Sequence, residues 1–234
     1  MNKSFKRISI PALLLFGMLI GGYTPQAYAV PTLSFSVDGG AAVSCADGDA
    51  CDLNTAAGVV LFSASLGGVY GISISTGITK PFLNGAHMDL NSITVQSLVD
   101  GAHTLSIMFS ETDYTMLDVS GLAAFGGTIS NNGSTVAASA YFDDATNALF
   151  NLGTLINTTG PLSGPAFSAT FAGGGPAVAP YSMTQVLNVS TTAQGTLFSG
   201  DFELTMVPEP TSVALLGGAL LFVAGVARKK LRRG

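Results

Sequence analysis

The stretch NSITVQSLVDGAHTLSIMFS (91–110) decides the fold class of this chain of 234 residues. Apolar and polar residues alternate over 91–98 and again over 103–110, with a Gly-containing connection between the two runs. Alternation with a period of two is typical of β-strands that have one buried and one solvent-facing side. Both runs are rich in β-branched residues, so the sequence predicts two strands here.

Similar short runs, bounded by Gly, Asn, Asp or Pro, recur through the middle of the chain. They are TLSFSV (32–37), GVVLFSA (58–64), VYGISIS (69–75), STVAASAYF (134–142), AFSATF (166–171), TQVLNVS (184–190) and TLFSGDFEL (196–204). No convincing amphipathic helix accompanies them, although 143–157 could form one short helix or a loop. Eight to ten such strands predict a single all-β domain, an antiparallel β-sandwich of the jelly-roll type. The Gly pairs in 65–71 and 125–130 are predicted to serve turns and bulges.

The N-terminus has the three parts of a secretory signal peptide. A basic start precedes an uncharged apolar run over 8–22, and Ala27-Tyr28-Ala29 is a small-x-small cleavage site. These features predict that 1–29 is removed and that the mature chain begins at Val30. The alternative is an uncleaved N-terminal helix, for which the apolar run is short.

The C-terminus has a different three-part order. Pro208-Glu209-Pro210 is followed by fifteen uncharged residues (213–227) and by a basic tail (228–234). A helix of that length rises about 22 Å, short of the roughly 30 Å hydrocarbon core, although flanking residues can close most of the gap. The positive-inside rule keeps the tail cytoplasmic. The two prolines favour an extended segment before the helix.

This order of parts resembles the PEP-CTERM sorting signal, with its motif at 208–210, its transmembrane helix at 213–227 and its basic end at 228–234. The resemblance implies that the chain is a substrate of an exosortase, a membrane transpeptidase-like enzyme that removes the tail. It also implies transient anchoring in the inner membrane of a Gram-negative bacterium, followed by transfer to the cell surface or extracellular matrix. A permanent single-span anchor is the alternative.

Four segments of the remaining body, 30–207, resemble a body that recurs ahead of such tails. They are CADGDACD (45–52), STGITKP (75–81), MDLNS (88–92) and FSETDYT (109–115). This second resemblance implies one compact β domain and no particular chemistry.

The charge of the body excludes several classes of partner. Between 30 and 207, Lys80 is the single Lys or Arg residue, against thirteen Asp and Glu residues. Nucleic acid is excluded as a partner, because no basic surface exists to displace counterions from phosphates. Binding through anionic lipid headgroups is disfavoured for the same reason.

The two cysteines, Cys45 and Cys51, lie close together in SCADGDACD. Export places them in an oxidising compartment, so we expect a disulfide bond. Calcium is the one candidate cofactor, because it prefers oxygen ligands. Two acidic segments could supply such ligands, although neither matches an EF-hand loop. The candidate ligands are Asp47, Asp49, Asp52, Glu111 and Asp113, with Asp118 as a possible addition.

The body has few of the residue patterns that hydrolytic active sites require. Gly-x-Ser-x-Gly does not occur, and His87 and His103 each lie beside a predicted strand, where a polar surface role is the ordinary one. A glycosidase needs two carboxylates across a sugar site. Residues two apart on a strand share a face, so Glu111 with Asp113, or Asp201 with Glu203, could converge. The chain has no Trp to form a sugar platform, and solvated acidic strands are the simpler interpretation.

The sequence therefore predicts a non-enzymatic structural or interaction protein of the cell surface or matrix. One alternative is a carbohydrate-binding module of the exopolysaccharide matrix, for which Tyr70, Tyr114, Tyr141 and Tyr181 could supply aromatic contacts. A secreted hydrolase is the other alternative. A concave face with tyrosines would favour the module, and two carboxylates in a cleft would favour the hydrolase.

Overall fold

The computed structural model describes residues 29–116 and 119–208, which form twelve β-strands and no helix. The strands are β1 (Thr32–Val37), β2 (Val43–Ala46), β3 (Val59–Leu66), β4 (Tyr70–Ile78), β5 (His87–Ser97), β6 (His103–Tyr114), β7 (Val119–Ile129), β8 (Thr135–Asp143), β9 (Thr154–Thr158), β10 (Phe167–Gly173), β11 (Tyr181–Thr191) and β12 (Leu197–Pro208). The all-β prediction is confirmed for this part of the chain.

The strands form two six-stranded sheets. The first has the order β2-β1-β6-β11-β8-β9 and the second the order β10-β7-β12-β5-β4-β3. Neighbouring strands pair antiparallel in both sheets. From β5 onward the chain passes repeatedly from one sheet to the other, as in a jelly roll. The predicted antiparallel sandwich is therefore present.

The two runs within 91–110 become β5 and β6, which lie in different sheets. Ile93 and Val95 of β5 point inward, as do Ile107 and Phe109 of β6, and all four are at most 1% exposed. The alternating pattern thus supplies one apolar face to each sheet, and the two faces pack together as the core. Full burial of each such side chain stabilises the fold by roughly 1.5–3 kcal/mol.

Three strands, β2, β7 and β9, were not predicted from the sequence pattern. β7 reads VSGLAAFGGTI, and Ala and Gly are depleted in strands, so its alternation is obscured. The expectation that the glycines of 125–130 serve turns or bulges is wrong for Gly126 and Gly127, which pair within β7. The possible helix over 143–157 is absent, since this segment forms a loop followed by β9.

The sandwich has two ends, and the chain enters and leaves at the same one. At this terminal end β1 begins beside the last part of β6, with Thr32 opposite Ser110. β12 finishes there with Pro208 opposite Val119, the first residue of β7. The described part of β12 therefore reaches Pro208, the first residue of the predicted motif at 208–210. We call the opposite end, where β12 begins at Leu197, the distal end.

Residues 1–28 of the predicted signal peptide, the rest of the predicted Pro-Glu-Pro motif, the predicted helix at 213–227 and the basic tail lie outside the described residues. Within 29–116 and 119–208, no helix has the length and apolarity needed to cross a membrane.

Candidate binding groove

A groove of about 400 Å³ crosses the outer face of the second sheet, over β10, β7, β12 and β5. Its first row of outward-facing residues consists of register partners on these four strands. Thr170 lies opposite Ala124, Ala124 opposite Glu203, and Glu203 opposite Asp89. Directly opposite side chains on neighbouring strands have Cβ atoms about 5 Å apart, so this row is continuous.

The second row lies two residues further along the same strands. Ser168 lies opposite Gly126, and Gly126 lies opposite Asp201. The register between β12 and β5 shifts beside Asp201, and its Oδ1 accepts a hydrogen bond of 2.6 Å from the Ser92 backbone N–H. Asn91 completes this row at the β5 side of the groove.

The depth of the groove comes from β7, because its outward residues are Ala124 and Gly126. Side chains of one carbon or none leave the backbone accessible between the acidic wall on β12 and β5 and the hydroxyl wall on β10. The Ala-Gly-rich sequence of β7 therefore forms the floor of the groove. The same composition is why β7 was not predicted as a strand.

The acidic wall carries three carboxylates, those of Asp89, Asp201 and Glu203. His87 lies on the same face, with its Nε2 atom 2.8 Å from Oε1 of Glu203. Burial raises the pKa of Asp89, and the charges of Glu203 and Asp201 raise it further, while a hydrogen bond with Asn91 lowers it. The wall thus presents the hydrogen-bond acceptors of three carboxylates on one side of the groove.

Sequence analysis paired Asp201 with Glu203, and the structure confirms that both lie on one exposed face of β12. It did not identify Asp89, Asn91, Ala124 or Gly126. The alternating polar positions of MDLNS (88–92) point outward and are a usable signal for a polar strand face. Their position opposite β12 depends on tertiary pairing, since β5 and β12 are separated by about half of the chain.

A second cavity, of about 450 Å³, lies at the terminal end beside Lys80, Asp113 and Tyr114. The Lys80 ammonium donates hydrogen bonds to the Thr112 carbonyl at 2.8 Å and the Asp113 carbonyl at 3.0 Å. It also lies 4.2 Å from the centre of the Tyr114 ring, within range of a cation–π interaction. Two of the three ammonium donors thus bond to backbone carbonyls, and the charge lies against the Tyr114 ring, which leaves Lys80 poorly suited to hold a ligand.

Glu111 lies beneath this lysine with its side chain fully buried. Tyr114 donates a 2.6 Å hydrogen bond to Oε2 of Glu111. Burial raises the pKa of Glu111 to about 7, although the Tyr114 hydrogen bond and the Lys80 charge oppose the rise. Asp113 instead faces outward and accepts a 2.7 Å hydrogen bond from Asn147. Glu111 and Asp113 therefore do not converge, because Glu111 points into the sandwich.

The disulfide between Cys45 and Cys51 is confirmed, with a Cα–Cα distance of 5.8 Å. The acidic residues of its loop accept backbone hydrogen bonds. Asp47 accepts from Gly58 N–H, and Asp49 accepts from Ala46 N–H. Asp52 accepts hydrogen bonds from three amides, those of Gly48, Asn54 and Leu61.

These contacts bear on the calcium hypothesis. Among the described residues, no three His, Cys, Asp or Glu side chains are grouped so that they could hold a metal ion. Asp47, Asp49 and Asp52 are arranged around the loop backbone, and Asp118 lies outside the described residues. Calcium binding by this loop stays a prediction.

The tyrosines do not form a sugar-binding platform on a concave face. Tyr70, Tyr114 and Tyr181 are at most 1% exposed and belong to the core, and Tyr141 is half-buried on β8. His103 lies at the start of β6, 2.8 Å from the Asp38 carboxylate, and is the polar strand-end residue that its sequence position suggests.

No family model matches the chain, and no curated protein matches it. Among solved structures, the chain is similar to a CBM61 module described in complex with β-1,4-galactotriose, at 12% identity and a TM-score of 0.33, over 51% of this chain and 81% of the module. It is also similar to the CBM22-1 xylan-binding domain from Paenibacillus barcinonensis, at 10% identity and a TM-score of 0.34, over 68% and 91% of the two chains.

A third similar structure is the cleaved adhesin domain of Lys-gingipain from Porphyromonas gingivalis, at 10% identity and a TM-score of 0.32, over 64% of this chain and 98% of the domain. Identities and TM-scores this low transfer no function. The groove is interpreted from its own geometry.

Proposed function

We propose that the body is a polysaccharide-binding module of an exported surface or matrix protein. The observation that carries the proposal is the groove of about 400 Å³ on the outer face of the second sheet. A sugar ring is flat and rich in hydroxyl groups, so it suits an open cleft with a low floor and hydrogen-bonding walls. The groove crosses four strands and could accommodate consecutive units of a chain rather than a single enclosed ligand.

The walls have complementary chemistry for sugar hydroxyl groups. Carboxylates of Asp89, Asp201 and Glu203 accept hydrogen bonds, and charge-assisted bonds are stronger than neutral ones. Ser168 and Thr170 on the opposite wall can both donate and accept. A vicinal pair of hydroxyl groups can donate to one carboxylate, which fixes the orientation of the ring.

The charge of the groove selects among polysaccharides. Three carboxylates face the ligand, with His87 as the only titratable base on that part of the described face. A polymer of uronic acids would bring negative charge against these carboxylates and would be repelled. We therefore expect neutral or amino-sugar polymers as ligands.

The proposal is tested with a substitution that fills the space above the groove floor. Ala124→Leu places a larger side chain between Thr170 and Glu203, and it should abolish retention on neutral polysaccharides in affinity electrophoresis. Ala137→Leu is the matched control, because Ala137 is a half-buried alanine on β8 of the first sheet, away from the groove. Equal retention of both variants, or no retention of the wild-type protein on any neutral or amino polymer, contradicts the proposal.

The same samples distinguish a hydrolase from a binding module. Glu203 lies directly opposite Asp89, and the raised pKa of Asp89 is what a general acid requires. New reducing ends formed from a retained polysaccharide would favour hydrolysis. Retention without new ends supports a binding module.

The export part of the proposal rests on the resemblance of 208–234 to a PEP-CTERM signal. The mature protein would begin at Val30, remain anchored through 213–227, and lose its tail near Pro208-Glu209-Pro210 in the presence of an exosortase. Intact mass of the protein from cells with and without that enzyme tests this part. A mass that always extends to Gly234 contradicts sorting and leaves an acidic module tethered to the inner membrane.

A further inference from the structure

Exposed apolar side chains are concentrated at the terminal end of the sandwich. The described residues expose eleven large hydrophobic side chains, and five of these lie in the loops of that end: Leu53, Phe82, Leu149, Leu152 and Val178. Val30 and Val207 are also exposed and flank the points where the chain enters and leaves the sandwich. Leu122 is the fourth residue of β7 and Leu155 is the second residue of β9, and both strands start at the same end.

The distal end has a different character. Of the eleven exposed hydrophobic side chains, only Val43 and Leu197 lie toward it. Two of its connections, β3–β4 and β11–β12, are tight turns with Gly at positive φ, at Gly67, Gly68 and Gly195. Such turns keep the backbone close to the sheet and present few side chains. The apolar loop tips are therefore a property of one end, not of the surface in general.

The acids of the terminal end do not cancel this apolar character. Asp47 and Asp52 accept hydrogen bonds from backbone amides of their own loop, those of Gly58 and Asn54. Asp143 is 1% exposed, and although burial opposes its ionisation, hydrogen bonds from the loop 144–151 lower its pKa to about 2. Asp144 accepts a hydrogen bond from Val178 N–H. These four carboxylates therefore bond within or between the loops of this end. Asp49 and Asp113 are exposed here, and they accept hydrogen bonds from Ala46 N–H and from the Asn147 side chain.

The chain beyond β12 determines what lies near this end. β12 pairs with β7 as far as Pro208, and Met206 N–H bonds the Ala86 carbonyl, so the loop that carries Phe82 is next to the exit point. The uncharged run 213–227 begins after four further residues, 209–212. Four extended residues span at most about 14 Å. Insertion of that run into a bilayer would hold the terminal end within this distance of the membrane.

We propose that the terminal end of the sandwich is a membrane-facing surface. While the tail anchors the protein, the tips of the loops that carry Phe82, Leu149 and Val178 insert into the outer part of the periplasmic leaflet. Apolar side chains buried at this depth stabilise an interfacial orientation, and the acidic charge of the body favours a neutral over an anionic lipid surface. This orientation would hold the start of the 208–210 motif at a constant height above the membrane.

The experiment uses the absence of Trp from the chain, which makes any introduced Trp the only one. The protein without its predicted signal peptide but with its C-terminal tail (30–234) carries Phe82→Trp. It is reconstituted into phosphatidylcholine vesicles, with and without brominated acyl chains. Leu149→Trp reports on a second loop of the same end. Leu197→Trp is the matched control, because Leu197 is 44% exposed and lies at the distal end. It begins β12, which ends at Pro208, so the two residues are roughly 36 Å apart by strand rise.

We expect a blue-shifted emission and strong quenching by brominated lipid for Phe82→Trp and Leu149→Trp, and neither effect for Leu197→Trp. Thermal unfolding monitored by circular dichroism checks that each variant folds. Quenching of both terminal-end variants no greater than that of the control would overturn the proposal. Protection from both brominated lipid and aqueous acrylamide, with dependence on protein density, would overturn it in favour of a contact between two copies of the chain.

Discussion

The Nζ atom of Lys80 lies 3.9 Å from Oε1 of Glu111, and this pair joins the two sheets of the sandwich. Lys80 follows β4 in the second sheet, whereas Glu111 belongs to β6 in the first. The lysine is 23% exposed, while the glutamate is completely buried. The single Lys or Arg residue of the body thus lies over a buried acid at the terminal end of the core.

Loss of the lysine should destabilise the protein. Lys80→Met removes the hydrogen bonds to the Thr112 and Asp113 carbonyls and leaves the Glu111 carboxylate without its countercharge. We expect the free energy of unfolding to fall by roughly 2–4 kcal/mol at pH 8, since an unpaired buried charge is costly. Urea denaturation measures the change. Adding Glu111→Met to this variant should recover most of the loss, and a double variant as unstable as the single one would contradict the pairing.

The stability of the protein should depend on pH through Glu111. Its pKa of about 7 in the folded protein lies above its ordinary value of 4.5, so the folded state binds more protons between these values. Stability from this group is therefore full below about pH 4.5 and is lost as the pH rises through 7, by up to roughly 3 kcal/mol.

Urea denaturation at pH 5.5 and pH 8 measures this dependence. Glu111→Gln should flatten it, because the amide does not titrate in this range. Asp113→Asn is the control, since Asp113 is exposed on the same strand. Identical pH dependence in the wild-type protein and Glu111→Gln would show that another group is responsible.

Reduction of the disulfide should have a moderate effect. The bond between Cys45 and Cys51 closes a short loop, for which the chain-entropy estimate is about 2 kcal/mol. We expect dithiothreitol to lower the unfolding free energy of the wild-type protein by that amount. The Cys45→Ala/Cys51→Ala variant should be insensitive to the reductant. No response of the wild-type protein would mean that the bond does not form in solution.

The calcium hypothesis predicts a rise in the thermal unfolding midpoint in millimolar calcium relative to EDTA, because a ligand that binds only the folded state stabilises it. Asp49→Asn should reduce this rise, since Asp49 is the most exposed carboxylate of the cysteine loop. Magnesium serves as the control for ionic strength. A midpoint equal in calcium and EDTA contradicts the hypothesis.

Polysaccharide binding should depend on the acidic wall of the groove. Glu203→Gln and Asp89→Asn each replace a charged acceptor with a neutral one, and we expect about tenfold weaker binding for each, from a loss near 1.4 kcal/mol. Isothermal titration with the retained polymer measures it. Asp100→Asn, an exposed acid of the distal end, should bind like the wild-type protein. Loss of binding in that control instead would indicate a general charge effect.

The prediction of strands was reliable where large apolar residues alternate with polar ones, as in β5, β6 and β11. It failed for β7, where the outward residues Ala124 and Gly126 have no strand preference of their own and are held by β10 and β12 on either side. The disulfide was predictable, because only two cysteines occur and they are close in sequence. The groove was not, because its floor lies on β7 and its wall on strands distant in sequence.

The positions of the tyrosines were also not predictable from local sequence. A tyrosine can present its ring to a sugar or bury it in a core, and the local sequence around Tyr70, Tyr114 or Tyr181 does not distinguish the two. In the fold these rings fill the space between the sheets. Glu111 was likewise expected to face outward beside Asp113, and the tertiary structure turns it inward toward Lys80.

The sequence by itself determined the all-β class, the disulfide and the segregation of positive charge into the two ends of the chain. These features follow from local periodicity, spacing and composition. Only the tertiary structure decided which acids face a shared groove, which one is buried beneath Lys80, and that the exposed apolar loops gather beside Pro208. Each of those depends on the order and register of strands far apart in the chain, and local residue preferences carry no information about which strands become neighbours.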